Sequence, residues 1–539
     1  MTPEVVDLLP LSAFADRRAE WSLDVAQPEA SEQLDLLSGA AQGLSLNELE
    51  AHLLGAAHLL RGLVDQADFK SYIFPLLFYK RLCDVYSEEF DDALEHSGGD
   101  RDFAAKTDQH RFVIPEGHRW DDVVETPDEK LGRALVDALR AIEKANPDTL
   151  DGIFGDTPWT NRDRVPSHVL RALLNHFSAR FLGDAYADAD LLGQAYEYLI
   201  KKFADLSNKK AGEFYTPRAV VELLVNILGP EPGETVYDPA CGTGGMLIEV
   251  TNHFARRGLA TRLLWGKLFG QEKNLTTSGI ARMNLILHGV EDFRIERGDT
   301  LRAPRFFDRD GGLRTFDCVI ANPPFSLAAW GEKEWAKDPY GRGKTGVPPR
   351  GTADWAWIQH MLASMRPGTG RAVVVLPQGI LFRDGVQASI RRKVIESDRI
   401  EAVIGLGERL FYGAPLAACV LVLRAEKPKG RQKKILFIDA SDQLRKGRNQ
   451  NELEAEHLSR IFGWYRARAD IENRSRLVAR PEIESNDGNL NIALYVGNNP
   501  AAELPALHEA VAALENALTD AAAADNELRD KLKKWRLLE

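Results

Sequence analysis

The segment Val236-Tyr-Asp-Pro-Ala-Cys-Gly-Thr-Gly-Gly-Met246 decides the fold of this 539-residue chain. Val236 and Tyr237 end a short apolar run, and Asp238 stands at its tip. The glycines that follow let the backbone approach a ligand closely before a helix opens at Met246. The pattern is shorter than a dinucleotide-binding GxGxxG, and its strand-tip carboxylate would repel a diphosphate. It suits a cationic ligand instead.

Downstream of this segment, short apolar runs alternate with helical stretches. The predicted strands cover residues 236–237, 268–270, 293–296, 316–321, 372–376, 402–406 and 418–423, with 435–438 as an optional extension. Predicted helices between them include residues 246–257, 276–288, 354–365 and 386–397. Strands that alternate with helices indicate a mostly parallel sheet covered on both faces. We therefore predict a doubly wound α/β fold with seven strands.

Acidic residues stand at the ends of three successive predicted strands: Asp238, Glu272 and Asp299. The carboxyl ends of parallel strands form the ligand crevice of open α/β sheets. There Glu272 can accept both hydroxyls of a ribose, and Asp299 can accept an adenine amino group. Each carboxylate alone could be an ordinary surface group. In register with Gly242 and Gly244, they predict a site for S-adenosylmethionine, whose ammonium and sulfonium are cationic.

The tetrapeptide Asn322-Pro-Pro-Phe325 follows the fourth predicted strand. A planar amino group such as that of adenine is a poor nucleophile, because its lone pair is delocalised into the ring. The Asn322 side-chain oxygen and the Pro323 carbonyl oxygen can accept hydrogen bonds from both amino protons. Phe325 can stack on an extruded base. The tetrapeptide alone could be a strand-ending turn. With the glycine-rich segment before it, it predicts methyl transfer to a planar amino nitrogen.

These motifs resemble those of amino-group DNA methyltransferases. From about residue 46 to 495 the chain resembles the modification subunit of type I restriction-modification systems, which methylate adenine at N6. Besides the segments above, the resemblance rests on Gly212-Glu-Phe-Tyr-Thr-Pro-Arg218, Gly270-Gln-Glu272, Leu410-Phe-Tyr-Gly413 and Asn489-Leu-Asn-Ile492. It implies the seven-stranded sheet of S-adenosylmethionine-dependent methyltransferases, with a helical N-terminal domain and a C-terminal helical tail.

The resemblance also implies roles for individual residues. The expected cofactor contacts are Glu213, Phe214, Tyr215, Thr216, Pro217, Arg218, Gly242, Thr243, Gly244 and Glu272, beside the Asp238 and Asp299 predicted above. The expected catalytic residues, which hold the target adenine, are Asn322, Pro323, Pro324 and Phe325. Phe411 or Tyr412 could form a second aromatic wall, and either could equally pack in the core. No metal site is predicted.

The net charge of −12 is unusual for a protein that binds DNA by itself. Either a local basic strip is hidden within an acidic average, or a partner makes most of the phosphate contacts. The sequence also leaves no room for a domain that reads DNA sequence. The resemblance implies that double-stranded DNA is reached through a specificity subunit with two methylating subunits, and that an ATP-dependent restriction subunit can join them.

The chain divides by pattern into four segments. Residues 1–40 are a variable N-terminal extension, 41–190 a helical domain, 191–475 the catalytic domain and 476–539 a C-terminal segment. In the last segment an apolar stripe recurs at steps of three and four, at Leu504, Leu507, Val511, Leu514 and Leu518 and again at Leu528, Leu532 and Trp535. This heptad-like stripe predicts a helix that either folds back on its own domain or packs on a partner subunit.

Other patterns narrow the choice of function. No apolar run is long enough to span a membrane, the N-terminus lacks a signal core, and the four cysteines form no CxxC pair, so a reduced cytoplasmic protein is expected. Gly343-Lys-Thr345 lacks the leading glycine of a phosphate-binding loop, so no ATP site is expected.

The long polar segment 326–352 could close over a substrate. Methylation of RNA or of a protein glutamine remains an alternative, as does a scaffold that has lost activity.

Overall fold

A computed structural model describes residues 44–187, 189–206, 216–411, 417–448, 450–497 and 507–534. The predictions for residues 1–40, for Glu213, Phe214 and Tyr215, for Tyr412, and for Leu504 and Trp535 of the apolar stripe lie outside these ranges.

One nine-stranded sheet forms the centre of the molecule, in the order β3-β2-β1-β4-β5-β7-β6-β8-β9. Its strands are β1 Val236–Asp238, β2 Leu268–Glu272, β3 Phe293–Arg297, β4 Cys318–Ala321, β5 Arg371–Pro377, β6 Ile400–Leu406, β7 Ala418–Arg424, β8 Lys434–Ala440 and β9 Ser475–Ala479. Strands β3 to β5 pair in parallel, whereas β7 runs antiparallel between β5 and β6. Strand β8 is parallel to β6, and β9 is antiparallel to β8.

The predicted α/β class is confirmed, but the sheet has nine strands where seven were expected. The optional eighth strand is β8, and β9 was missed. Every residue of β6 is buried, and such strands read as apolar runs. In β9, by contrast, Ser475 and Val478 are buried and the other three residues are not, because β9 pairs on one side only. This strand also crosses the predicted domain boundary after residue 475.

Helices cover both faces of the sheet and build the N-terminal region. The helices are α1 Leu46–Leu59, α2 Phe69–His96, α3 Arg101–Ala104, α4 Trp120–Val124, α5 Asp128–Ala145, α6 Pro147–Leu150, α7 Ser167–Ser178, α8 Ala189–Leu206, α9 Arg218–Leu228, α10 Gly245–Arg256, α11 Leu275–Leu287, α12 Glu332–Trp335, α13 Asp354–Ser364, α14 Val386–Glu396, α15 Ala455–Ala467, α16 Arg480–Ser485 and α17 Leu507–Lys534. Helices α9, α10 and α15 share a core on one face of the sheet, and α13, α14 and α16 share another on the opposite face.

The N-terminal helices bury their own core, which includes the aromatic side chains of α2. This core extends to Ile280, Met283 and Leu287 of α11, so the helical region packs directly on the sheet domain. The Tyr196 hydroxyl of α8 donates to the Ile280 carbonyl at 3.4 Å. Most aromatic side chains of α2, and Tyr196 of α8, are buried and pack in this core.

The C-terminal helix α17 is continuous over 28 residues, as the apolar stripe predicts. Its stripe is not covered by the described part of the chain, since Leu514 is 60% exposed and Leu518 is 61% exposed. None of the helices that the structure describes is both long and apolar enough to cross a membrane.

Candidate active site

The carboxyl ends of β1, β2 and β4 bring the predicted motifs to one edge of the sheet. After β1 the chain turns through Gly242, at φ 53°, and Gly244, at φ 85°, both in the left-handed region that favours glycine. A Cβ on Gly244 would lie 3.4 Å from the Ala281 carbonyl oxygen of α11. Asn284 of the same helix donates its side-chain amide to the Thr243 carbonyl at 3.0 Å. Helix α11 thereby fixes the glycine-rich turn.

Glu272, the last residue of β2, binds the same turn from the other side. Its Oε2 accepts the Gly242 N–H at 3.1 Å, and its Oε1 accepts the Asn274 N–H at 2.8 Å. Asn274 in turn caps α11 by accepting the Thr277 N–H. Both carboxylate oxygens of Glu272 are therefore held at the sheet edge in a defined orientation.

Asp238 lies at the tip of β1 and is only 1% exposed. Its Oδ1 accepts the Ala240 N–H at 2.9 Å. Burial raises the pKa of Asp238 to about 8, opposed by the Ala240 N–H and assisted by the negative charge of Glu272. The carboxyl group therefore keeps its proton at neutral pH, and a cation placed beside it would favour the ionised form.

Asp299 follows β3 and is engaged within its own surroundings. Its Oδ2 lies 3.0 Å from the Lys273 Nζ, and its Oδ1 accepts the Arg302 N–H at 3.3 Å. Its side chain is 22% exposed. The structure thus places Asp299 at the expected strand end, with one oxygen bonded to its own turn.

Asn322 connects the end of β4 with the segment that precedes α9. Its Nδ2 donates to the Thr216 Oγ1 at 2.7 Å, and Thr216 belongs to the segment that precedes α9. The Oδ1 of Asn322 is buried, and no hydrogen-bond donor reaches it from the described residues. Because the amide nitrogen is committed to Thr216, the oxygen is left to accept a hydrogen bond from a donor outside the described residues. Pro217 and Arg218 continue directly from Thr216 into α9.

Phe325 is half-buried and meets Phe411 edge to face, with ring centroids 5.8 Å apart. Phe411 itself is 2% exposed and belongs to the core shared by α9 and α10. Phe411 therefore packs in the core and supports the ring of Phe325.

A buried carboxylate missed in the sequence fixes the chain just after the tetrapeptide. Ser326 adopts φ 52°, a strained conformation for a residue with a side chain, and its N–H donates to the Asp354 Oδ1 at 2.8 Å. Asp354 is fully buried at the start of α13, and its Oδ2 lies 3.1 Å from the Arg383 Nη1. An acidic residue in the first turn is a common feature of helices. The sequence therefore does not predict the contact between Asp354 and Ser326.

The long segment 326–352 is packed onto the site. Arg342 is buried, donates to the carbonyl oxygens of Thr300 and Leu301 at 3.0 Å each, and binds Asp338 through two nitrogens. Its guanidinium also lies 4.2 Å from the centre of the Trp335 ring. The Thr300 hydroxyl donates to the Pro239 carbonyl in the glycine-rich turn at 2.6 Å. The segment is therefore joined to the glycine-rich turn through Arg342 and Thr300, and closure over a substrate is not what its packing favours.

Comparison with known proteins decides the family. The model of the N-6 DNA Methylase family matches residues 187–503, and that of the HsdM N-terminal domain matches residues 49–177. The type I restriction enzyme MjaVII methylase subunit of Methanocaldococcus jannaschii is 34% identical over 474 residues, covering 84% of this chain and 78% of the relative. The chain belongs to the N-6 DNA methylases of type I restriction-modification systems. The family that the motifs resembled is thus confirmed.

Further members of this family align over most of the chain. The MpnII methylase subunit of Mycoplasma pneumoniae is 28% identical and covers 90% of this chain and 95% of the relative. The crystal structure of a type I methyltransferase subunit from Streptococcus thermophilus has a TM-score of 0.71 at 29% identity, covering 84% of this chain and 99% of that one. As an N-6 DNA methylase, the chain is an enzyme, and the predicted enzyme class is confirmed.

Proposed function

We propose that this N-6 DNA methylase transfers the methyl group of S-adenosylmethionine to the exocyclic amino group of an adenine turned out of double-stranded DNA. The buried, unpartnered Oδ1 of Asn322 carries this proposal among the described residues. An adenine amino group supplies the missing donor, and the half-buried Phe325 offers a ring on which the base can stack. The Pro323 carbonyl oxygen can accept a hydrogen bond from the second amino proton.

Accepting these hydrogen bonds changes the reactivity of the target nitrogen. Asn322 Oδ1 accepts a hydrogen bond from the amino group, which makes the nitrogen lone pair more available for a new carbon–nitrogen bond. The positive charge that develops on the nitrogen is then stabilised by the same two oxygen acceptors. When bound, S-adenosylmethionine would supply an electrophilic methyl group on a positively charged sulfur. The carbon–nitrogen bond would form as the carbon–sulfur bond breaks and leaves neutral S-adenosylhomocysteine, and the nitrogen would then lose its extra proton to solvent.

The residues at the carboxyl edge fit S-adenosylmethionine. Asp238 and Glu272 offer carboxylates to a cationic ligand that carries ribose hydroxyls, and Gly242 and Gly244 have no side chain that would obstruct this ligand. Thr216 links this side to Asn322. We assign the cofactor to Thr216, Pro217, Arg218, Asp238, Gly242, Thr243, Gly244, Glu272 and Asp299, together with Glu213, Phe214 and Tyr215 outside the described ranges.

Transfer of radioactive methyl groups to DNA, RNA and protein, measured side by side, tests the proposal. The full-length chain with its co-expressed subunits is expected to label double-stranded DNA, and enzymatic digestion of that DNA should yield N6-methyladenine. Label found only in RNA or in protein glutamine would overturn the proposal in favour of that alternative substrate. The proposed DNA substrate fits the cytoplasmic location expected from the sequence.

We propose that the chain acts in an oligomer with a specificity subunit and a second methylating subunit, which an ATP-dependent restriction subunit can join. The net charge of −12 supports a partner that contacts DNA. In this arrangement residues 41–190 form the helical domain and residues 191–475 form the catalytic domain. Residues 476–539 form the association segment, and residues 1–40 are a variable N-terminal extension. The uncovered stripe of α17 supports the last assignment, because an exposed apolar helix face fits a partner.

Serine at both Leu514 and Leu518 is expected to prevent assembly without changing the stability of the isolated chain, because both side chains are more than half exposed. Co-purification with the specificity subunit and thermal melting measure the two effects. The matched control carries serine at Ala512 and Asn516, which lie on the opposite side of α17 at 100° per residue. Assembly that survives the leucine changes, or is equally lost in the control, contradicts this role for the stripe.

A further inference from the structure

The loop between β8 and α15 carries exposed positive charge at the same sheet edge as the active site. Lys446 and Arg448 are exposed, and within the described residues neither forms an ion pair. Their basic neighbours differ, since Arg445 is bound by Glu452 and Glu454 and Arg474 by Asp442. The loop therefore presents two positive charges that no carboxylate of the described chain neutralises.

Hydrogen bonds fix this loop to the segment after β6. Arg409 donates through Nη2 to the Arg448 carbonyl at 3.0 Å, and Asn451 donates its N–H to the Arg409 carbonyl at 2.8 Å. The Gln450 side chain donates to the Leu410 carbonyl at 2.6 Å. A Cβ at Gly447 would lie 2.0 Å from the Gln450 carbonyl oxygen, so only glycine permits this turn. The basic side chains thus project from a closely packed loop.

The topology places this loop beside the base-binding residues. Strand β6 is parallel to β8, and two antiparallel pairings through β7 make β6 run in the same direction as β5 and β4. The carboxyl ends of β4, β6 and β8 therefore lie at one edge. Phe411, which follows Arg409 by two residues, contacts the ring of Phe325. Lys446 and Arg448 are connected to Phe325 through this short chain of contacts.

We propose that Lys446 and Arg448, together with Arg409, bind phosphates of the DNA strand that carries the target adenine. This inference rests on the proposed function, because it presumes that a nucleotide reaches Phe325. Two side chains with several donors and no competing carboxylate match the charge of a DNA backbone. The acidic average of the chain hides this local basic surface, which is one of the two explanations that the net charge of −12 left open.

Reversal of both charges tests the surface. The double variant K446E/R448E, in the full-length chain assembled with its partner subunits, is expected to bind a fluorescent duplex about 10- to 100-fold more weakly at low salt. The slope of log affinity against log salt should fall by about 2, because two phosphate contacts are lost. Calorimetric binding of S-adenosylmethionine should not change.

The matched control is K429E/K434E, which reverses two exposed lysines at the amino end of β8, at the opposite edge of the sheet. It changes the net charge equally and is expected to leave DNA affinity within about twofold. An equal loss in both double variants, or none in K446E/R448E, overturns the proposed surface. Failure of K446E/R448E to assemble in the absence of DNA would assign the loop to a protein interface instead. Absence of DNA methylation by the unchanged protein would instead refute the proposed function itself.

Discussion

Replacement of Asn322 by alanine is expected to lower methyl transfer to DNA by at least about 100-fold, while the affinity for S-adenosylmethionine stays within about twofold. The substitution removes the buried oxygen that is left to accept a hydrogen bond from the adenine amino group. Loss of one preorganised hydrogen-bonding group that stabilises a transition state costs about 100- to 1,000-fold in rate. Single-turnover transfer and calorimetric cofactor binding measure the two quantities.

Two milder variants separate chemistry from structure at this position. Asn322→Asp keeps an oxygen acceptor but cannot donate to Thr216, so a greater residual rate than in the alanine variant is expected. Thr216→Val removes the group that holds the Asn322 amide nitrogen at 2.7 Å and should reduce the rate without abolishing it. If Asn322→Ala transferred methyl groups within tenfold of the unchanged protein, the role given to its oxygen would be refuted.

The affinity for S-adenosylmethionine is expected to rise about tenfold per pH unit between pH 6 and 8 and to level off above pH 8. Burial raises the pKa of Asp238 to about 8, so the carboxyl group is protonated over most of this range. A cationic ligand favours the carboxylate, and binding therefore releases a proton. Calorimetry in buffers of different ionisation enthalpy measures that proton directly.

Asp238→Asn should eliminate this pH dependence and weaken cofactor binding by at least about 100-fold at pH 8, because the ligand then loses a buried opposite charge. The same variant should melt at a higher temperature than the unchanged, ligand-free protein at pH 8. A carboxyl group whose pKa is raised on folding stabilises the fold below its unfolded pKa, and that contribution is lost as pH rises towards the folded value. A pH-independent affinity in the unchanged protein would argue against contact between Asp238 and the cation.

Seven of the eight strands that the residues predicted share a property that β9 lacks; the exception is β3, at the other edge of the sheet, which has no fully buried residue. Strands such as β4 and β6 are buried on both faces, and their apolar runs can be read locally. At the edge of the sheet β9 pairs only with β8, so two buried residues suffice to stabilise it and no run results. The antiparallel position of β7 between β5 and β6 could not be predicted from the sequence either, because strand order depends on pairing between distant segments.

The sequence by itself determined the family, the fold class and the side of the sheet on which the motifs lie. It could do so because Asp238 and Glu272 end their strands and Asn322 directly follows one, and the carboxyl ends of parallel strands meet at one edge. Only the tertiary structure decided which groups touch: Asn322 with Thr216, Ser326 with Asp354, and Arg342 with the turn after β3. These contacts join residues far apart in the chain, and a buried polar side chain has no local pattern that names its partner.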